Sequence, residues 1–180
     1  MKALALTALL LLVTADGWCT PYWMVNGGSN GAAEQSSIGV EVGDTQMIVK
    51  RFPLAAELSM NFDFGDVPSE ARFNNNPNNE PFTVKKAKDG PEIGFLFKSG
   101  VNLDDFVPNL TLLVGAGYAL QSETPVATGA NSGTHWQQGS RETEVYPVGY
   151  GGLLYRLERM CLSVGYNNRR GVVAGIGSNW

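Results

Sequence analysis

The feature that most constrains this chain is a regular alternation of side-chain character along most of its length. In the segment 54–64 the bulky apolar residues share one parity, and the small or charged residues share the other. The segments 110–118, 160–166 and 172–180 repeat this pattern. Successive side chains of a β-strand point to opposite faces, so the alternation predicts strands. Eight strands are predicted, at 36–43, 46–52, 54–64, 91–99, 110–120, 144–156, 159–167 and 171–180.

The parity of the charged residues indicates which face of the sheet meets lipid. A soluble barrel has bulky apolar residues inside and polar residues outside. Here the charged residues share the parity of the small ones, and a lysine facing lipid at mid-membrane costs about 2–4 kcal/mol. We therefore expect a luminal network in which lysines pair with carboxylates and fill the barrel; a proton path or a catalytic carboxylate pair is the alternative. Its predicted members are Glu41, Lys50, Glu57, Asp63, Glu92 and Lys98.

The connections and the aromatic residues fit the same interpretation. The two long loops, 65–90 and 121–143, fall on one side together with a short turn at 43–45. Outer-membrane barrels place long loops outside the cell, short turns in the periplasm, and aromatic girdles at both interfaces. The predicted girdle residues face lipid, and they are Phe64, Tyr118, Tyr146 and Tyr166 at the outer ends and Phe97 and Trp180 at the periplasmic ends. A β-sandwich core is the alternative explanation for these aromatics.

The N-terminus predicts export. Residues 1–15 combine one lysine, a short apolar run and small residues at a cleavage site, which is typical of a signal peptide. We expect 16–35 to be an N-terminal periplasmic segment and 36–180 to be the barrel. An oxidising compartment favours a disulfide between Cys19 and Cys161, although two unrelated free thiols are the alternative.

The end of the chain carries a resemblance to a known class. The closing hairpin Leu162–Gly171 and the final strand Val172–Trp180 resemble those of small eight-stranded outer-membrane barrels of the OmpA and OmpX type. The resemblance implies an all-β, eight-stranded antiparallel up-and-down transmembrane β-barrel in the outer membrane of a Gram-negative bacterium. The C-terminal aromatic strand is similar to the signal that the barrel-assembly machinery reads.

Composition and architecture narrow the function without identifying it. The formal net charge of −4 gives no general footprint for nucleic acid. A lumen of eight strands is filled by side chains, so an open pore is not expected. We expect a monomer with a structural or surface-interaction role, carried by loops 65–90 and 121–143. The expected partners are outer-membrane lipid, lipopolysaccharide and an unknown extracellular ligand. Lys85, Lys86 and Lys88 could contact lipopolysaccharide phosphates or simply be solvated.

Two other classes remain open at this point. Some barrels of this size modify lipid A or phospholipids, and His135 with Ser132 or Ser140 and Glu142 could imitate an acyltransferase site. A lone histidine in a loop is more often an ordinary exposed residue, so no catalytic residue is assigned. The asparagine-rich segment 73–80 could hold a cation but is typical of turns, and no cofactor or metal is expected. A secreted soluble β-barrel is the other alternative.

Overall fold

The computed structural model describes residues 20–29, 31–32, 36–48, 52–62, 65–72 and 79–180. Helix in these residues is limited to one 3₁₀ turn at Ser69–Arg72. None of their helices is long and apolar enough to span a membrane. The strands are β1 (Pro21–Ser29), β2 (Ser37–Ile48), β3 (Phe52–Asn61), β4 (Phe82–Lys88), β5 (Ile93–Asn102), β6 (Leu110–Gly129), β7 (His135–Gln137), β8 (Glu142–Leu157), β9 (Met160–Asn167) and β10 (Gly171–Asn179).

Eight of these strands close into a barrel. Each pairs antiparallel with its neighbours in the order β1-β2-β3-β5-β6-β8-β9-β10, and β10 returns to pair with β1. The closing pair runs from Tyr22 opposite Asn179 to Ser29 opposite Val172. The predicted fold class, an all-β eight-stranded antiparallel barrel, is confirmed. Closure leaves these eight strands with a partner on both sides, which removes exposed sheet edges.

The first barrel strand was not predicted. Pro21–Ser29 is β1, so the prediction of a periplasmic segment at 16–35 and a barrel that begins at 36 is wrong. Asn26, Gly27 and Gly28 have low intrinsic preference for strands, which hid the pattern. Tertiary packing overrides that preference, since a Cβ on Gly28 would lie only 2.9 Å from the Arg170 carbonyl oxygen.

A second error, the division of one strand into two, offsets the missed β1, so the predicted number of strands is still eight. The predicted strand 36–43 and the first part of the predicted strand 46–52 lie in one strand, β2, which ends at Ile48, and the predicted turn at 43–45 lies inside it. Residues 49–51 lie outside the described residues, and Phe52 begins β3. The register of β2 against β3 shifts between Asp44 and Ile48. Asp44 Oδ1 accepts hydrogen bonds from the Gln46 amide (2.7 Å) and the Thr20 amide (3.2 Å). The turn-forming residues are therefore accommodated as an irregularity within a continuous strand.

The two ends of the barrel differ. The long connections 62–92 and 130–141 lie at the same end, as predicted, and we call it the loop end. The opposite end carries the connections 103–109 and 158–159, and we call it the turn end. At this end the Trp180 amide donates to the Pro21 carbonyl (3.2 Å).

A smaller part of the sheet extends beyond the loop end of the barrel. β6 is 20 residues long, and only its first half pairs with β5. Its second half pairs with β4 on one side and with β7 on the other. We call β4, residues 121–129 of β6, and β7 the distal sheet. At about 3.4 Å per residue, that part of β6 extends about 30 Å beyond its pairing with β5.

Closure of the barrel between β1 and β10 should require a glycine at position 177. A Cβ there would overlap the Trp23 carbonyl oxygen on β1, whereas a Cβ on Gly149 would meet no atom within 4 Å. We expect Gly177→Ala to lower the free energy of unfolding by about 1–3 kcal/mol, because overpacking must be relieved by backbone shifts. The matched control Gly149→Ala should change it by less than about 0.5 kcal/mol. Urea unfolding in detergent measures both, and equal midpoints would contradict the β1–β10 register.

Candidate functional site

The outer wall of the barrel is apolar. Large apolar side chains at outward positions are exposed on every barrel strand from β1 to β10. The charged residues in the central parts of the described barrel strands take the inward parity and are buried. Examples of the outward set are Val25, Val40, Leu58, Phe97, Val114, Leu153, Val164 and Val172.

Four charged side chains form the centre of the lumen, and we call them the luminal network: Glu41, Glu57, Lys98 and Arg170. Lys98 Nζ lies 2.5 Å from Glu41 Oε2 and 2.6 Å from Glu57 Oε2. The Arg170 guanidinium donates to the other oxygen of Glu57. All four are at least 96% buried. Two cations meet two carboxylates, so the network is neutral as a whole.

Polar and aromatic neighbours complete the coordination of these charges. Tyr22 donates its hydroxyl proton to Glu41 Oε1 at 2.6 Å. Arg170 donates through Nη2 to Asn26 Oδ1 and through Nε to Ser37 Oγ, both at 2.7 Å. Lys98 Nζ lies 3.9 Å from the centre of the Tyr150 ring, at cation–π distance. Buried charges cost several kcal/mol each unless they are paired and hydrogen-bonded, and here they are both.

A second layer of charge lies nearer the loop end. Arg169 Nε donates to Glu92 Oε2 at 3.0 Å, and its guanidinium carbon lies 4.2 Å above the Tyr146 ring. The Tyr146 hydroxyl donates to Glu123. Glu92 was expected to pair with a lysine; in the structure it pairs with Arg169.

A third layer lies at the turn end. Arg156 Nη2 lies 3.2 Å from both carboxylate oxygens of Asp104, and its Nη1 donates to Thr45 Oγ1 at 3.3 Å. Charged contacts therefore occupy the lumen near both ends and at the centre.

Arg169 and Arg170 were missed because they belong to the turn after β9. The Asn167 side-chain oxygen accepts the amides of Arg169 (2.9 Å) and Arg170 (3.2 Å), which shapes this turn. Both guanidinium groups then fold back into the lumen to reach Glu92 and Glu57. A signal was present, since the predicted network had four carboxylates and two lysines and therefore required further cations.

Several predicted site residues lie outside the described residues. They are Lys50 and Asp63 of the network, Phe64 of the girdle, and Cys19 of the disulfide. Cys161 is buried on β9, and among the described residues it forms no disulfide. The Cys19–Cys161 disulfide stays a prediction.

The predicted girdle residues differ in position and orientation. Phe97 was predicted at the periplasmic end of its strand, and this is wrong, because it lies in the middle of β5. Phe97, Tyr118, Tyr166 and Trp180 are exposed, and so is Trp23 on the unpredicted strand β1. Tyr146 was predicted to face lipid, and this is wrong: it packs against the buried core of the barrel. On β8 the outward position is the neighbouring Val145, so the predicted parity was shifted by one residue there.

The distal sheet has a small core and ionic ties of its own. Trp136 is buried and meets Phe82 edge-to-face at 5.4 Å. Glu80 accepts hydrogen bonds from the Ser132 hydroxyl and from the Asn131 amide (2.8 Å), and these bonds lower the pKa of the carboxyl group. Lys86 pairs with Glu142 and Glu144, and the hydrogen bond to Glu144 is the main cause of its raised pKa. The long loops are therefore partly folded into an ordered element.

The residues weighed as a catalytic group have other partners in this sheet. His135 Nδ1 lies 3.0 Å from Thr128 Oγ1. The Ser132 hydroxyl donates to Glu80, and Glu142 pairs with Lys86. Ser140 is exposed. Among the described residues, no group of three potential metal ligands is present.

These features define the class of protein: a closed eight-stranded antiparallel barrel with a charged, filled lumen and an apolar outer wall. No protein-family model matches the chain, and neither does any curated protein. Its fold is similar to that of the attachment invasion locus protein Ail of Yersinia pestis in complex with the heparin analogue sucrose octasulfate. That chain is 6% identical, with 89% of this chain and 94% of that chain covered, at a TM-score of 0.47.

Two further solved structures are similar. The N-terminal β-barrel domain of Pseudomonas aeruginosa OprF is 16% identical, with 89% of this chain and 97% of that chain covered and a TM-score of 0.49. Neisserial surface protein A is 11% identical, with 89% and 93% covered and a TM-score of 0.39. The assignment of the fold class rests on the strand pairing of this chain itself.

The luminal network should contribute strongly to stability. Among the described residues, Lys98→Met leaves Glu41 and Glu57 with Arg170 as the one cation of the luminal network, and we expect a loss of about 3–5 kcal/mol in the free energy of unfolding. The double variant Lys98→Met with Glu41→Gln removes the surplus charge and should recover part of that loss. Urea unfolding followed by tryptophan fluorescence measures both. A double variant no more stable than Lys98→Met alone would contradict the charge-balance account.

Proposed function

We propose that this chain is a monomeric outer-membrane barrel of the Gram-negative cell envelope, with a structural or surface-interaction role carried by its distal sheet. The observation that carries the proposal is the division of the molecule into three parts. The wall is apolar outside, paired charges occupy the lumen, and an ordered sheet extends beyond the barrel at the loop end.

The exposed apolar wall supports the membrane location. A soluble monomer rarely exposes continuous apolar surface larger than a few hundred Å². Here every barrel strand exposes large apolar side chains, and Trp23, Trp180 and Tyr166 lie near strand ends, where interfacial aromatics belong. The loop end then faces outward and the turn end faces the periplasm. Export through a signal peptide at 1–15 and assembly through the final strand ending at Trp180 are parts of the same proposal.

The filled lumen argues against an open pore. An eight-stranded barrel leaves an interior that side chains can fill, and Lys98, Arg170 and their carboxylates occupy its middle. Charged contacts at Arg169 and Arg156 lie nearer the two ends. Passage of a solute would require these pairs to separate, which leaves unpaired charge in a low-dielectric lumen.

The distal sheet is suited to contact a partner because it is already ordered. A preorganised surface loses little conformational entropy on binding. Phe82 and Val84 are exposed on β4. Lys85, which directly precedes Lys86, is exposed as well. Lys86 is engaged by Glu142 and Glu144, and Lys88 is half-buried, so we assign the contact with lipopolysaccharide phosphate to the exposed Lys85. The proposal assigns no enzymatic role, since the Ser132 hydroxyl is bonded to Glu80 and Glu142 is paired with Lys86.

Charge reversal at Lys85 tests the role of the distal sheet. We expect Lys85→Glu to weaken the binding of purified lipopolysaccharide to the detergent-solubilised protein about two- to fivefold, the range of one exposed charge contact. Arg159→Glu is the matched control, because it makes the same change in net charge on an exposed residue at the turn end. Binding that weakens equally in the two variants reports net charge alone and would count against a contact at the distal sheet.

A further inference from the structure

The turn between β5 and β6 is built by a dense set of hydrogen bonds. The Phe106 and Val107 amides both donate to the Leu103 carbonyl, at 2.8 and 2.9 Å. The Asn109 amide donates to Asp104 Oδ1 at 2.7 Å, and Asn109 adopts a φ of +66°, which an asparagine tolerates better than most residues. The segment 103–109 is therefore a defined structure at the turn end.

This turn is also fastened to the barrel wall beside it. The guanidinium of Arg156 on β8 holds the Asp104 carboxylate, and the Arg156 amide donates to the Asn109 carbonyl at 3.0 Å. Next to the turn, Asn102 donates through its side chain to the Thr45 carbonyl at 2.7 Å. Asp104 is thus drawn to the luminal side, and the turn is held as an extension of the wall.

The same turn presents its apolar residues to the surroundings. Phe106 is 84% exposed and Val107 is 46% exposed. Phe106 is the most exposed of the large apolar side chains in the described residues. Because the backbone around it is fixed, the side chain cannot be buried by a local collapse of the turn. An apolar side chain held in this way is stabilised only by an apolar surface outside the chain.

We propose that Phe106 and Val107 insert into the inner leaflet of the outer membrane and anchor the turn end of the barrel to phospholipid. The inference rests on the proposed membrane location. Continuity with the apolar wall favours lipid as the occupant, since Leu112 on β6 and Leu157 on β8 are exposed close to this end. Insertion to the depth of the headgroup and acyl boundary is typical of apolar interfacial anchors.

Such an anchor fixes how deep the barrel sits. An inserted Phe106 adds a fixed point at one level, and the pair of Asp104 with Arg156 ties that point to β8. The loop end has the distal sheet, which stands in water, so the two ends are held by different means.

Depth-dependent fluorescence quenching tests the proposal with the full chain in phosphatidylethanolamine–phosphatidylglycerol vesicles. Phe106→Trp adds a fluorophore whose emission is obtained by difference from the unaltered protein. We expect this added emission to be shifted to shorter wavelength and quenched most strongly by lipid brominated on the acyl carbons closest to the headgroup. Val84→Trp on the distal sheet is the matched control, and its added emission should be quenched by aqueous iodide and not by brominated lipid.

The outcomes separate this inference from the proposed function. If brominated lipid fails to quench the emission of the native tryptophans, which include the exposed Trp23 and Trp180, the barrel is not in the membrane and both proposals fail. If those tryptophans are quenched but the added emission of Phe106→Trp is not, the turn stands in water or against protein. In that case the anchor alone is overturned.

Discussion

The contact of Lys98 with Glu41 and Glu57 is the interaction on which the rest of the structure depends. It places charges that are at least 96% buried at the centre of the barrel, and buried ions must be paired. Long charged side chains also need space, and inward glycines provide it. A Cβ on Gly39 would lie 2.5 Å from Asn26 Oδ1 and 2.9 Å from Arg170 Nη1. The lumen therefore requires charged residues at some inward positions and very small residues at others.

The same requirement links the lumen to the loop end. Lys98 alone cannot balance two carboxylates, and the second cation comes from Arg170 in the turn after β9. The side chains of Arg169 and Arg170 in that turn are therefore directed into the barrel. The material that does project comes from β6, which continues past its partner β5 and carries β4 and β7 with it. The positions of the luminal charge pairs therefore fit a closed barrel, with an ordered sheet beyond it at the loop end.

The sequence predicts the class of fold well and its closing strand poorly. Alternation over 54–64 and 160–166 is strong because each strand has one face of one kind, and the structure has strands there. β1 was not predicted because Asn26 and Gly28 contact Arg170, a residue far away in sequence, and such a contact leaves no local pattern. The luminal positions of Arg169 and Arg170 were not predicted for a related reason. Their place in a turn predicts exposure, and only the tertiary position of Glu57 and Glu92 draws them inward.

The central claim is that the outer wall of the barrel is solvated by lipid, and a matched pair of substitutions measures it. Leu58 on β3 is 52% exposed and Val84 on β4 is 48% exposed, but only Leu58 belongs to the barrel wall. The fraction of protein assembled in the outer membrane is measured for Leu58→Arg and Val84→Arg. We expect Leu58→Arg to cost about 2–4 kcal/mol and to reduce assembly strongly, while Val84→Arg assembles normally. Equal, near-normal assembly of both variants would mean that water bathes both positions, and it would contradict a membrane barrel.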